Sequence, residues 1–346
     1  MFRLMRKNYL KLLEHSAALI KYECTSHSVE FGTFFKSKST RSFSSIASLN
    51  LSGIYPPIVT TFDENGNVTL DKLKHNLQKW ETVPFRGYVI LGSTGEFPYL
   101  SEEEKLTLVK YVKENVSSEK LIIVGTGNES TNGTVNLTNK MADVGASAAL
   151  VVSPFFYKGR MTQDTLYDHY MKVADASKIP VILYSVPANT GIDLSAQLVV
   201  KLSHHPNIIG LKDSGGDIQK IGHIICKTKE NGFQVLAGSA GFLYAGLCVG
   251  CVGGVLALAN PLGPQVCKLY ELFHDDDHEQ ASYLQHLLIE PNLAVTKKYG
   301  IPGVKAAMDL LGYHGGFCRP PLKSLTPEEV ADLKKEFKEN GFLSNE

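Results

Sequence analysis

The sequence predicts an α/β fold, a (β/α)8 TIM barrel with a C-terminal helical extension, and three observations carry that expectation. From residue 53 onward, eight short runs rich in apolar and β-branched residues begin at intervals of 20 to 34 residues. That is the repeat expected when each strand of a parallel sheet is followed by one covering helix. The runs are nearly continuous in apolar character, as suits strands covered on both faces. Beyond the eighth, about 85 residues keep a helical period with no further strand signal.

The first two strands are expected at IYPPIVT (54–60) and GYVIL (87–91). LIIVG (121–125), ALVVS (149–153), VILYS (181–185) and IIGLK (208–212) follow, then FQVLAG (233–238) and GGVLAL (253–258). Between the second and third, Ser101-Glu-Glu-Glu104 precedes LTLVKYVKENV and has the form of a capping box. The serine satisfies an orphan amide at the helix start, and the third glutamate answers it. Asp193 or Ser195, and Asp217, are expected to cap later helices. Pro291, Gly300, Pro302 and the stretch from Gly312 to Gly316 punctuate the C-terminal part. The expected layout is residues 1–48 as a leader, 49–260 as the barrel core, and 261–346 as the last barrel helix with the extension.

The chain has 346 residues, 43% hydrophobic and 20% charged, with 35 basic and 35 acidic side chains, the composition of a globular protein. The charge is unevenly spread. Residues 1–48 hold eight Lys or Arg against three Glu, with twelve Ser or Thr, and place Arg3, Lys7 and Lys11 on one helical face and Phe2, Met5 and Leu12 on another. This is the composition of a mitochondrial transit peptide cleaved between Arg41 and Ser48, and it predicts a matrix protein; a disordered tail on a cytosolic protein is the alternative. The remainder carries 27 basic and 32 acidic residues, with no excess to neutralise phosphates, so nucleic acid is not the expected partner. No apolar run approaches the length of a membrane span, and a small-molecule substrate is expected.

Six cysteines are scattered along the chain, five of them beyond residue 48, which is no disulfide framework. Cys248-Val-Gly-Cys251 has a redox spacing but runs into the apolar stretch CVGGVLALAN, so buried packing is expected. Gly125-Thr-Gly127 lacks the third glycine of a dinucleotide fingerprint, and no Walker sequence occurs. His204 and His205 are placed at a helix end on the pole away from the chemistry. No metal and no cofactor are expected.

In such barrels the chemistry sits at the carboxyl ends of the strands. The sixth ends in Lys212, after residues that are otherwise apolar or glycine; poor hydration there favours the neutral amine, which can form a Schiff base with a ketone. A structural lysine whose ammonium reaches solvent would suit the same position. The fifth strand ends in Tyr184-Ser-Val-Pro187, where a phenol can move a proton between substrate and solvent or pack with its hydroxyl on a neighbour. The second ends in Gly92-Ser93-Thr94-Gly95-Glu96. Its glycines allow a tight turn with exposed amides and its two hydroxyls add donors, a cradle for a small anion or a turn capping the next helix. Neither this loop nor Ala237 to Gly241 nor Gly253-Gly254 carries the Lys or Arg that phosphate sites recruit. A carboxylate is the expected anion.

With GSTGE, YSVP and IIGLKDSGGD in this order at three strand ends, the chain over roughly 53–340 resembles the dihydrodipicolinate synthase and N-acetylneuraminate lyase superfamily of class I aldolases. The resemblance implies that Lys212 forms an imine with the keto carbon, that Tyr184 relays the proton, and that Ser93 and Thr94 hold the carboxylate. It also implies that Ser214 and Gly238 line the pocket, and that the protein is a homotetramer with sites near a subunit contact. Synthases of the superfamily usually have Arg after the tyrosine motif to grip the incoming aldehyde's carboxylate. This chain has Asn189, which cannot make that bidentate clamp. In Pro154-Phe-Phe-Tyr157, Phe156 and Tyr157 both stand near the place where the family often supplies a Tyr hydroxyl to a neighbouring subunit. SVPANTG, LKDSGGD, AGSAGFL and LALAN are similar to the branch that splits 4-hydroxy-2-oxoglutarate into pyruvate and glyoxylate in hydroxyproline breakdown. An enzyme like dihydrodipicolinate synthase, a sialic-acid lyase, a keto-deoxy sugar-acid aldolase, an oxaloacetate decarboxylase and a catalytically silent binding barrel remain as alternatives.

Overall fold

A computed structural model describes residues 49–344; the expected leader at 1–48 lies outside the described residues. Eight parallel strands form one sheet: β1 (Gly53–Tyr55), β2 (Gly87–Ile90), β3 (Leu121–Gly125), β4 (Ala148–Val152), β5 (Val181–Ser185), β6 (Ile208–Asp213), β7 (Gln234–Ala237) and β8 (Gly253–Val255). Their order is β1-β8-β7-β6-β5-β4-β3-β2, and a bridge between Pro57 and Val89 brings β1 against β2. The Ile58 amide donates to the Val89 carbonyl at 2.9 Å there. The expected (β/α)8 barrel is the observed fold. β1 covers three residues instead of the seven of its apolar run, because Pro56 and Pro57 have no amide to give to a ladder.

Besides a single helical turn at Pro187–Thr190, seven helices return the chain between strands: α1 (Leu70–Trp80), α2 (Glu102–Asn115), α3 (Thr131–Asp143), α4 (Gln163–Ala176), α5 (Ala196–Leu202), α6 (Ile218–Thr228) and α7 (Leu243–Cys248). Ser101 and Glu104 form the expected capping box on α2. Ser195 and Asp217 cap α5 and α6, while Asp193 is used elsewhere.

Strand alternation divides the apolar side chains into two shells. Tyr55, Val89, Ile123, Leu150, Ile182, Leu236 and Val255 fill the barrel interior. Ile54, Tyr88, Ile122, Val151, Leu183 and Leu211 face outward under the helices.

After β8 come α8 (Gly263–His274), α9 (His278–Leu293), α10 (Gly300–Leu310) and α11 (Pro327–Glu339). Pro291 does not interrupt this part as the sequence suggested: α9 runs through it. The helix then passes into a π-turn, Ala294–Lys298, closed by the Tyr299 amide on the Ala294 carbonyl at 3.0 Å. Proline withdraws one amide from the regular ladder, yet α9 runs two residues past it before the wider turn begins. Gly300 and Pro302 fall within the first turn of α10, where a missing amide costs little.

The two cysteines of the Cys248-Cys251 spacing part company. Cys251 is buried, and burial, with the charge of Asp213, pushes its thiol up to about 12. Cys248, expected to pack beside it, is instead exposed at the end of α7. His205 follows α5 and sets Nε2 3.1 Å from Asp175. Among the described residues no helix is long and apolar enough to cross a membrane, and no three His, Cys, Asp or Glu side chains are grouped to hold a metal ion.

Candidate active site

The β5–β6 register sets Tyr184 opposite Lys212, and the β6–β7 register continues the row to Leu236. All three side chains therefore point into the barrel. Lys212 is 4% exposed, with Nζ 4.0 Å from the centroid of the Tyr184 ring. The Tyr184 hydroxyl lies 3.4 Å from Ser93 Oγ. Burial pushes this phenol up, but the Lys212 charge and hydrogen bonds with Ser93, Lys212 and Ser214 outweigh it, and the net shift is downward. A phenol more acidic than usual, set between an amine and a hydroxyl, is suited to pass a proton.

Ser93–Gly95 form a single 3-10 turn, whose first amides have no partner within the turn. Leu91 at φ 59° and Glu96 at φ 55° flank it, in a left-handed region that side-chain-bearing residues seldom occupy. Such strain persists where the surroundings over-determine it, and here they do. Thr60 Oγ1 donates to the Gly95 carbonyl at 2.7 Å. The buried Glu96 carboxylate meets Lys305 Nζ from α10 at 2.6 Å and accepts the Arg319 amide at 2.9 Å. The turn expected as a cradle is thus held from the loop after β1, from α10 and from the loop that follows α10.

Gly238 follows β7 directly, where a side chain has no room: a Cβ there would lie 2.1 Å from Ser214 Oγ and 2.5 Å from the Asp213 carbonyl oxygen. Its own amide donates to that carbonyl at 2.8 Å. The residues that follow Tyr184 and Lys212 turn outward and are tied together. Fully buried Asp213 accepts the Gly215 amide at 2.8 Å. Lys220 Nζ lies 2.8 Å from Asp213 and 2.6 Å from Asp193, and Ser185 Oγ donates to Asp193 at 2.9 Å. One cation therefore fixes both strand ends, and with them the Lys212–Tyr184 spacing.

A cavity of about 540 Å³ opens over these groups, and Ser93, Thr94, Tyr184, Asn189, Lys212, Ser214 and Gly238 all line it. Further wall comes from the loop after β7, through Ser239 and Phe242, and from α9, the π-turn and α10, through Asn292, Thr296, Lys297 and Ile301. A neighbouring cavity of about 270 Å³ shares Ser93, Asn189 and Ile301 and is otherwise largely apolar, with Phe97, Phe155 and Leu322 in its walls. Phe156 and Tyr157 line neither cavity. They stand 73% and 71% exposed, their rings crossed edge to face with centroids 5.0 Å apart.

Sequence reasoning missed Glu96 with Lys305, Asp193 with Lys220, and the wall built by Asn292 and Lys297. Lys305 had left a signal, a lone charge in the apolar helix GIPGVKAAM. Lys297 had left none, because the neighbouring Lys298 has the same appearance and is an ordinary surface cation paired with Asp332 at 2.5 Å.

The arrangement offers an amine, an acidified phenol, hydroxyl donors and free amides around one cavity without a carboxylate in its lining. The model of the dihydrodipicolinate synthetase family matches residues 50–340. An uncharacterized DapA-like lyase of Halobacterium salinarum is 35% identical over 295 residues, covering 85% of this chain and 96% of that protein. The crystal structure of a dihydrodipicolinate synthase from Bacillus anthracis matches with a TM-score of 0.80 at 30% identity, over 84% of this chain and 98% of that one. A dihydrodipicolinate synthase from Acinetobacter baumannii, solved with pyruvate, matches with a TM-score of 0.80 at 29% identity, over 85% and 100%. By these measures the chain belongs to the dihydrodipicolinate synthetase family, and the lyase class follows from that membership.

Proposed function

We propose that this chain is a Schiff-base lyase that forms or breaks the carbon–carbon bond at C3 of pyruvate, held as an imine on Lys212. The observation that carries the reading is the strand register that sets the Lys212 amine against the Tyr184 ring, with Ser93 at the phenol. The amine adds to the keto carbon, water leaves, and the protonated imine draws electrons from the neighbouring carbon. In the cleavage direction Tyr184 takes the proton of the C4 hydroxyl, the C3–C4 electron pair passes into the imine, and an aldehyde leaves. The resulting enamine takes a proton at C3, and water then releases pyruvate and regenerates the amine. Ser93, Thr94 and their amides hold the carboxylate beside the keto group, with Ser214 and Gly238 closing the wall.

Two narrower readings differ in the second substrate. The names of the related synthases support condensation of pyruvate with an aldehyde, and this reading has the wider support among relatives. Asn189 in the cavity wall argues against the synthases' own aldehyde, whose carboxylate an Arg after the tyrosine motif usually grips, and leaves cleavage of 4-hydroxy-2-oxoglutarate to pyruvate and glyoxylate as the other reading.

Borohydride reduction in the presence of pyruvate, followed by peptide mass mapping, tests the common step. A three-carbon adduct on Lys212 is expected; no adduct, or one elsewhere, overturns the proposal. Measuring pyruvate release from 4-hydroxy-2-oxoglutarate, N-acetylneuraminate, keto-deoxy sugar acids and oxaloacetate, beside synthase activity, then separates the narrower readings. A homotetramer is proposed with this function, the exposed Phe156–Tyr157 pair being a surface that such an assembly would cover; sedimentation of the purified protein tests it. A matrix location is proposed from residues 1–48, and organelle fractionation tests that.

A further inference from the structure

Asn189 leaves a gap in the charge balance of the site, since a substrate with two carboxylates needs a partner for the second. The lining of the larger cavity contains two charged side chains, Lys212 and Lys297, and no Asp or Glu. Lys212 is committed to the reacting carbon. Lys297, exposed, belongs to the part of the wall built by the π-turn between α9 and α10. Among the described residues its ammonium makes no ion pair, whereas its neighbour Lys298 is taken up by Asp332 and Glu336.

The turn that carries Lys297 is built to face the cavity. Val295, Thr296 and Lys297 are consecutive, yet all three line it, and π-turns recur at functional sites because the wider turn re-aims side chains. The turn is also anchored. Asn292, 3% exposed, donates through Nδ2 to Ser239 Oγ at 2.9 Å, which ties α9 to the loop after β7. Thr296 Oγ1 donates back to the Asn292 carbonyl at 2.5 Å. The other polar side chains named in the cavity wall are neutral hydroxyls and amides, and a single ammonium beside them suits a carboxylate; a phosphate would recruit more donors.

We infer that Lys297 is the specificity-determining cation that binds the substrate's second carboxylate, so that the site selects keto acids carrying a carboxylate beyond the bond made or broken. Neutral, sugar-derived chains gain nothing from it. The inference rests on the reading of Lys212 as the imine-forming lysine, and it holds for either direction of reaction.

The test uses the full chain and two five-carbon keto acids that differ only at the far end, 2-oxoglutarate and 2-oxopentanoate. Each is titrated as a competitor of pyruvate for borohydride trapping on Lys212. Wild type is expected to bind the diacid more tightly. Lys297→Met raises the diacid concentration needed by about 10-fold, as for loss of one hydrogen bond to a charged group, while the monoacid value stays close to wild type. Lys297→Arg keeps the preference, because the charge is kept. No preference in wild type, or the same preference in Lys297→Met, overturns the inference while leaving the imine intact. Failure of pyruvate itself to label Lys212 is the separate failure of the underlying reading.

Discussion

The Lys305 ammonium sits 2.6 Å from the Glu96 carboxylate, and the two side chains are 2% and 0% exposed. Lys305 also donates to the Phe317 carbonyl at 2.6 Å, so one buried cation joins the strained cradle turn to the C-terminal loop. Removing one partner of a buried pair leaves an uncompensated charge, at a cost of about 3–5 kcal/mol. Lys305→Met is therefore expected to lower thermal stability markedly. The double variant Lys305→Met with Glu96→Gln recovers much of the loss, because the amide still accepts from Arg319. Calorimetry on the three proteins checks this, and a single variant that melts with wild type refutes it.

Tyr184 gives a prediction that separates binding from chemistry. Tyr184→Phe keeps the ring beneath Lys212 Nζ and removes the hydroxyl to which the proton transfer is assigned. Cleavage is expected to fall by about 10²–10⁴-fold, the usual worth of a positioned acid–base group. Pyruvate should still be trapped on Lys212. If kcat survives, the proton travels by another group.

Gly238→Ala tests the close approach behind the lysine. A methyl group 2.1 Å from Ser214 Oγ and 2.5 Å from the Asp213 carbonyl cannot be absorbed by a rotamer change alone, since the second obstacle is backbone. Overpacking of this kind costs about 1–3 kcal/mol, and here the displaced atoms adjoin Lys212. Loss of stability together with loss of imine formation is expected. A fully active variant would show that the β7 end moves freely.

The residues legible in the sequence were those whose place follows from local pattern plus one barrel rule. Lys212 and Tyr184 each close an apolar run, and strand ends of a parallel barrel face the same mouth. What escaped depends on partners far apart in the chain. No local pattern says that the Glu96 of a glycine-rich turn meets a lysine on α10, or that one Lys220 serves Asp193 and Asp213 together. Pro291 misled for a related reason. Proline marks a break by its missing amide, but α9 tolerates that loss and runs on into a π-turn, which delivers Lys297 to the cavity. Phe156 and Tyr157 had two equivalent aromatic readings, and within one chain neither reaches the site.

Acid sensitivity should trace in part to a residue outside the site. His169 on α4 is 4% exposed; its Nδ1 lies 3.0 Å from Thr131 Oγ1 and its Nε2 has no partner. Burial lowers its pKa from 6.5 to about 4. Between those values the unfolded chain binds a proton that the folded one refuses, so stability is full above the unfolded value and falls as pH drops toward the folded one. The slope is about 1.4 kcal/mol per pH unit, roughly 3 kcal/mol over the whole window. His169→Gln removes the titration and keeps a polar group for Thr131. Denaturant midpoints measured at pH 7 and pH 4.5 should show the wild type losing about 2–3 kcal/mol more than the variant. Parallel losses in the two proteins would assign the acid sensitivity to other groups.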